Sequence, residues 1–214
     1  TKMTAVFDSA NFHQLCDELA EKDSDLQFII TNYGYPPMWS RKPVFSTLVL
    51  TILEQQVSLA SAYAAYRKLK QKVGIITPAK ILALTDSELR SCYFSRQKIT
   101  YVRELAHAIQ SKKLQLKNLT TKTNDEIRNE LKKHKGIGDW TVDIYLIHVL
   151  HRTDLFPLGD IALINSLRAT KNLLPHTSKE EMLIIAEPWK PYRTIATMLL
   201  WHAYIKKRNI KVLG

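Results

Sequence analysis

At Ser24/Gln27, Thr85/Glu88, Thr123/Glu126 and Ser178/Glu181 a small hydroxyl residue stands three positions ahead of Glu or Gln, each time before helix-compatible sequence. That spacing lets hydroxyl and carboxylate or amide cap each other's backbone N–H groups, so each pair marks a helix start. Prolines at Pro36-Pro37, Pro43, Thr77-Pro78 and Pro188/Pro191 interrupt the chain between such starts. A chain so punctuated is built from about ten short helices rather than a few long ones. Apolar periodicity agrees: Phe45, Leu48, Val49, Ile52, Leu53 and Gln56 share one helical face, as do Ile195, Leu199 and Leu200. No alternating strand pattern competes, so the predicted class is all-α. With 214 residues and 45% apolar content the chain can bury a full core. Short connections near Pro36 to Pro43 and Arg152 to Pro157 are the candidate boundaries between two lobes.

Charge narrows the partner. Lys and Arg outnumber Asp and Glu 31 to 20, giving a net charge of +11, which favours a polyanion, nucleic acid first. No apolar run approaches the ~20 residues of a spanning helix and no signal-peptide pattern opens the chain. No membrane partner is therefore expected, and the expectation is a soluble cytoplasmic protein, nucleoid-associated if bacterial. Cys16 and Cys92 have no spacing for zinc or an iron–sulfur cluster and read as reduced core residues. The histidines read as structural or solvent-facing; His148 and His151 face together without acidic partners, and His202 stands beside Trp201.

The densest pattern lies between Leu131 and Leu167. A helix is predicted from about 124 to 134, Gly136 and Gly138 flank Ile137 in a tight hairpin, and Asp139 caps a second helix from Trp140 to about His151. The unpaired N–H groups of a hairpin followed by a helix N-terminus make a seat for a phosphate oxygen, which positions DNA without reading its sequence. Lys132, Lys133 and Lys135 lie beside that seat. A solvated helix face is the alternative reading of these lysines.

The runs Leu131-Lys-Lys-His-Lys-Gly-Ile-Gly-Asp-Trp-Thr141, Phe156-Pro-Leu-Gly-Asp160, Glu54-Gln-Gln-Val-Ser58 and Trp189-Lys-Pro-Tyr-Arg193 with Trp201 resemble the helix-hairpin-helix DNA glycosylase superfamily, within it the 3-methyladenine DNA glycosylase II branch. The resemblance implies two helical lobes with the active site in the cleft between them: residues 1–43 and 154–214 in one, 44–153 in the other, with the helix-hairpin-helix at about 124–151. The best-known bacterial member carries an extra N-terminal β-rich domain; with only about forty residues, read as helical, ahead of the matching core, that domain is expected to be absent here.

By the same resemblance Asp160 is the catalytic carboxylate, which stabilises the oxocarbenium-like transition state of N-glycosidic cleavage. A plain cap of the helix from Ile161 is the other reading of its position, and the two can coexist. Trp140 stands where strand-cleaving relatives carry a lysine nucleophile, so base release without strand scission is implied. Trp140 and Trp201 would line the base pocket. A pocket tyrosine of the family falls at Ile144, with Tyr145 adjacent, and Trp189 reads as packing at the start of the last helix. Gln56 matches the residue that fills the gap left by a flipped nucleotide, whereas Gln55 and Gln56 are otherwise just polar residues at a helix end. Gly136, Gly138, Lys135 and Thr141 would grip the DNA backbone. A K⁺ or Na⁺ would sit on the main-chain carbonyls of Lys132, His134 and Ile137, with no other cofactor required. The C-terminal Lys206, Lys207, Arg208 and Lys211 read equally as a solubilising tail or a second DNA contact.

The expected activity is monofunctional excision of alkylated purines such as 3-methyladenine or 7-methylguanine from double-stranded DNA by a monomer. A glycosylase for deaminated or oxidised bases and a non-enzymatic module that binds DNA structure are the alternatives.

Overall fold

The computed structural model describes residues 5–212, which form two compact units. The first unit takes Leu146–Lys211 with the N-terminal residues through Ser40; the second is built on Arg41–Tyr145. The boundaries thus fall at 40/41 and 145/146, against expectations of 43/44 and 153/154. The second of these lies inside a helix, where no proline or glycine could announce it.

In the N- and C-terminal unit, α1 (Phe12–Lys22), α2 (Ser24–Tyr33) and α10 (Ile161–Lys171) pack on α12 (Arg193–Arg208), and α11 (Lys179–Ala186) packs on the 3₁₀ turn Glu187–Trp189, which itself meets α12. Every residue of α12 from Thr194 to Ala203 is buried, so it is the axis of this core. In the central unit, α4 (Leu59–Val73) packs on α3 (Phe45–Glu54), α5 (Pro78–Ala83) and α6 (Asp86–Ser91) pack on α7 (Arg96–Gln110), and α3 packs on α7; α8 (Asn124–Leu131) follows in the chain. The ninth helix, α9 (Asp139–His148), runs across the 145/146 boundary. Twelve α-helices and two 3₁₀ turns stand among the described residues, and the single extended pairing is an isolated bridge between Val6 and Arg152. No described helix is long and apolar enough to cross a membrane.

Three of the four helix starts form as full capping boxes, at Thr85/Glu88, Thr123/Glu126 and Ser178/Glu181. The fourth does not. Ser24 opens α2 instead, and Asp23 caps it by accepting from the N–H groups of Asp25 and Leu26. Tertiary partners favour that register: Asp23 also accepts from Lys171 Nζ at 2.8 Å and Trp189 Nε1 at 2.8 Å. Trp189 is thereby a packing residue, 1% exposed. Cys16 and Cys92 are buried free thiols, and burial pushes Cys16 up to about 12.

Candidate functional site

The hairpin of the central unit begins earlier than the apolar pattern suggests. Helix α8 ends at Leu131, and Lys133 and His134 bond back to Glu130 and Leu131, three residues away, which tightens the last turn. Gly136 has φ +87°, a left-handed value, and a Cβ there would lie 2.1 Å from the Tyr101 ring. Only glycine satisfies both constraints. Gly138 differs: its φ is not left-handed, and a Cβ would meet nothing within 4 Å. Its missing side chain leaves open space outside the hairpin, beside the first turn of α9, whose leading N–H groups have no helical acceptor.

Asp139 is the first residue of α9 rather than its cap. Its carboxylate turns back to α8, meeting Arg128 Nη1 and Lys132 Nζ, each at 2.8 Å, and these cations hold its carboxyl below the ordinary carboxylate value. Arg128 also pairs with Asp143, whose carboxyl is raised because burial outweighs that partner. Lys132 is thus engaged within the protein, while Lys135 lies exposed on the hairpin. Thr141 is 2% exposed and its hydroxyl accepts from Gln55 Nε2 at 2.9 Å, so its side chain braces the hairpin and what it offers outward is its main-chain N–H in the first turn of α9.

The two glutamines at the end of α3 separate sharply. Gln55 turns inward, its Nε2 also donating to Gly136 O at 2.8 Å. Gln56 is exposed with φ +56°, a left-handed conformation uncommon for any residue bearing a Cβ. Gln56 is therefore a projecting residue on a held turn.

For the cation, the available donors are hard carbonyl oxygens, the kind that suits K⁺ or Na⁺. The Lys132 and Ile137 carbonyls accept no hydrogen bond from another described residue, and His134 O accepts only the Ile137 N–H at 3.1 Å, leaving it a lone pair. These donors fit a monovalent ion. No group of three or more His, Cys, Asp or Glu able to hold a metal occurs among the described residues.

In the other unit, Asp160 is the N-cap of α10: its Oδ1 accepts from the Leu163 N–H at 2.8 Å and from Trp201 Nε1 at 3.0 Å. The two donors come from different helices and fix the plane of a half-buried carboxylate. Trp201 is 8% exposed and His148 stacks on it with centroids 5.4 Å apart and an interplanar angle of 17°. His148 in turn is tied through Nδ1 to Trp39 O at 2.8 Å, which makes Nδ1 the protonated nitrogen, since a carbonyl only accepts. Trp201 thus has an indole face already covered and its N–H spent on Asp160; orienting the carboxylate is the work its contacts define.

His148 and Trp39 are the members of this cluster that sequence reasoning missed. The signal in reach was the position of His148 one turn before His151 near the end of α9. His202 is 4% exposed, tied to Tyr33 O at 2.9 Å, and lies 6.4 Å from the Trp39 ring between centroids.

Of the other expected pocket residues, Trp140 is half-buried in the first turn of α9. Tyr145 is a correction: it is 1% exposed, its hydroxyl has no hydrogen-bond partner, and burial pushes it up to about 12, so it is core, not a wall open to a base. Ile144 is equally buried at 4%. The C-terminal Lys206, Lys207 and Arg208 occupy the last turn of α12, where cations complement the helix dipole, and Arg208 covers the Tyr204 ring at 4.1 Å.

The model of the HhH-GPD superfamily of base excision DNA repair proteins matches residues 49–191. A putative DNA-3-methyladenine glycosylase of Bacillus subtilis is 30% identical over 188 residues, covering 84% of this chain and 66% of the relative. A DNA-3-methyladenine glycosylase of the same organism is 28% identical over 170 residues, covering 74% of this chain and 56% of the relative. The chain thus spans 66% and 56% of the length of these two curated relatives. Among solved structures, the 3-methyladenine DNA glycosylase of Schizosaccharomyces pombe in complex with abasic DNA superposes with a TM-score of 0.81 at 26% identity, covering 93% of this chain and all of that one. The hairpin, the Gln56 turn and Asp160 all lie inside the matched span, and the chain belongs to the HhH-GPD superfamily of base excision DNA repair proteins.

Proposed function

We propose that this chain is a monofunctional DNA glycosylase that flips an alkylated purine, of 3-methyladenine or 7-methylguanine type, out of double-stranded DNA and hydrolyses its N-glycosidic bond. The observation that carries the reading is Asp160, a carboxylate whose Oδ1 is fixed by two independent donors, from Leu163 and Trp201. The C1′–N bond breaks with its electron pair leaving on the base, and positive charge builds on the sugar. A prepositioned carboxylate stabilises that charge without reorganising. Water then bonds to C1′ and its proton passes to the carboxylate or to solvent. An alkylated purine already carries positive charge, so its departure needs no strong acid, and one carboxylate suffices where ordinary glycosidases use two.

The hairpin serves binding. Gly136 and Gly138 with the leading amides of α9 seat a phosphate, Lys135 adds charge, and Gln56 fills the vacancy left by the flipped nucleotide. A K⁺ or Na⁺ on the Lys132, His134 and Ile137 carbonyls would add positive charge at the same phosphate. Trp140 is offered as a wall of the base pocket. No lysine follows the hairpin, so no Schiff base forms and the strand stays uncut. One subunit per lesion meets these requirements, and a monomer is proposed.

The test is incubation of the purified chain with methylated duplex DNA, followed by chromatography of free bases and gel analysis of the strand. Released methylpurines with an intact strand are expected, and borohydride should trap no covalent complex. Release of deaminated or oxidised bases alone would move the substrate class. Tight DNA binding with no base released from any substrate would leave a binding module.

A further inference from the structure

The end of α3 is held at three consecutive residues. The Leu53 carbonyl accepts from Lys98 Nζ at 2.7 Å, Glu54 is gripped by both Nη atoms of Arg41 at 2.6 and 2.9 Å, and Gln55 bonds to Gly136 O and Thr141 Oγ1. The next residue, Gln56, is exposed. The peptide plane between Gly136 and Ile137 is gripped at both ends: its carbonyl accepts from Gln55 at 2.8 Å and its N–H donates to His134 O at 3.1 Å. A planar peptide held by both its groups cannot rotate without breaking one bond. One side-chain amide therefore sets the orientation of the hairpin's central peptide, reaches the first turn of α9 through Thr141, and is covalently continuous with the left-handed Gln56.

We propose that Gln55 is a positioning residue that couples the Gln56 turn to the hairpin, so that seating a DNA phosphate on the hairpin and driving Gln56 into the duplex are one mechanical event. This rests on the glycosylase reading of the site. A residue filling a flipped-out gap must bear the few kcal/mol of lost stacking and pairing, and a turn tied only through its own backbone would yield to that load. Anchoring the turn to the element that grips the backbone passes the load to the phosphate contacts. The donor is an amide nitrogen and both acceptors are oxygens, so the coupling needs glutamine's N–H groups and not only its bulk.

The test uses Gln55→Met, which keeps length and removes the donors, and Thr141→Val, which removes one of the two acceptors. Each is assayed for base release from matched duplex and single-stranded methylated DNA, and, on an Asp160→Asn background, for 2-aminopurine fluorescence beside an abasic-site analogue in a duplex. For Gln55→Met, duplex excision should fall about tenfold to thirtyfold, the worth of two ordinary hydrogen bonds, while single-strand release stays within about twofold. Thr141→Val should give a smaller loss in the same direction. Adding Gln56→Ala to Gln55→Met should cost nothing further, since both would act as one unit. Equal losses on duplex and single strand, unchanged flipping fluorescence, or multiplicative effects with Gln56→Ala would overturn the coupling. A wild-type chain that releases no base yet shows the fluorescence change, lost in Gln55→Met, would count against the glycosylase reading and leave the coupling standing.

Discussion

Around the hairpin, what faces outward is backbone and short reach: Gly138, the leading amides of α9, exposed Lys135 and exposed Gln56. The bracing is done from inside by Gln55, Tyr101 and the Arg128 pairs. Around Asp160 the arrangement is reversed. A single carboxylate is held by the Trp201 N–H, the Trp201 ring is covered by the His148 ring, and His148 is tied to the main-chain carbonyl of Trp39. On the proposed function the contrast follows from what each region would bind. A phosphate backbone is the same at every step, so main-chain donors suffice and side chains can be spent on rigidity. A reacting C1′ is a point in space, and a misplaced carboxylate forfeits most of its effect.

The sharpest way to break this comparison is Asp160→Asn. It keeps an oxygen for the Leu163 and Trp201 donors but removes the charge. Base release should fall by roughly 1,000-fold while DNA affinity stays within a few-fold. Single-turnover kinetics beside a binding titration check both halves, and excision near the wild-type rate would end the role of Asp160.

Next in size is the pair Gly136→Ala and Gly138→Ala. The first forces a Cβ into the left-handed region and against Tyr101, and should cost about 2–4 kcal/mol of stability in denaturant unfolding. The second meets open space and should leave stability within about 0.5 kcal/mol. Its effect should appear in DNA affinity, because the methyl group would occupy the place proposed for a phosphate. Equal stability losses would show that the two glycines do the same work.

Trp201→Phe probes the other region more gently. The ring stack with His148 remains and only the N–H to Asp160 is lost. A fall of about tenfold in single-turnover rate is expected, the worth of one hydrogen bond to a charged group, with little change in DNA affinity. If the rate holds, Trp201 is packing alone.

The smallest effect is in pH. Burial lowers His134 on the hairpin and His151 beyond α9 below the ordinary 6.5. The unfolded chain then binds more protons than the folded one as pH falls, so stability is complete above 6.5 and declines as pH drops through the lower folded values. Denaturant midpoints of His134→Gln and His151→Gln between pH 7.5 and 5 should each flatten part of that slope. A slope unchanged in both would assign it to other groups.

How much of this is legible in the sequence depends on the distance over which each residue acts. The boxes at Thr85, Thr123 and Ser178 are three-residue interactions and form as their spacing predicts. Ser24/Gln27 has the same spacing, yet Asp23 takes the cap because Lys171 and Trp189, far along the chain, converge on it. Tyr145 and the side chain of Thr141 turn inward for a related reason: α9 is so apolar that its pattern names no outward face, and both side chains point into the core.

The sequence by itself determined an all-helical chain, the place and tightness of the hairpin, and an aspartate at the start of α10, because caps, left-handed glycines and helical periods are local and have residue signatures. Tertiary structure alone decided that Gln55 turns inward while Gln56 projects, and that Trp39 and His148 join Trp201 behind Asp160. Those bonds span 81 and 86 residues for Gln55 and 109 for His148. An amide or imidazole that meets its partner across such a loop has no neighbour in sequence to betray it, and its direction is set only when the helices pack.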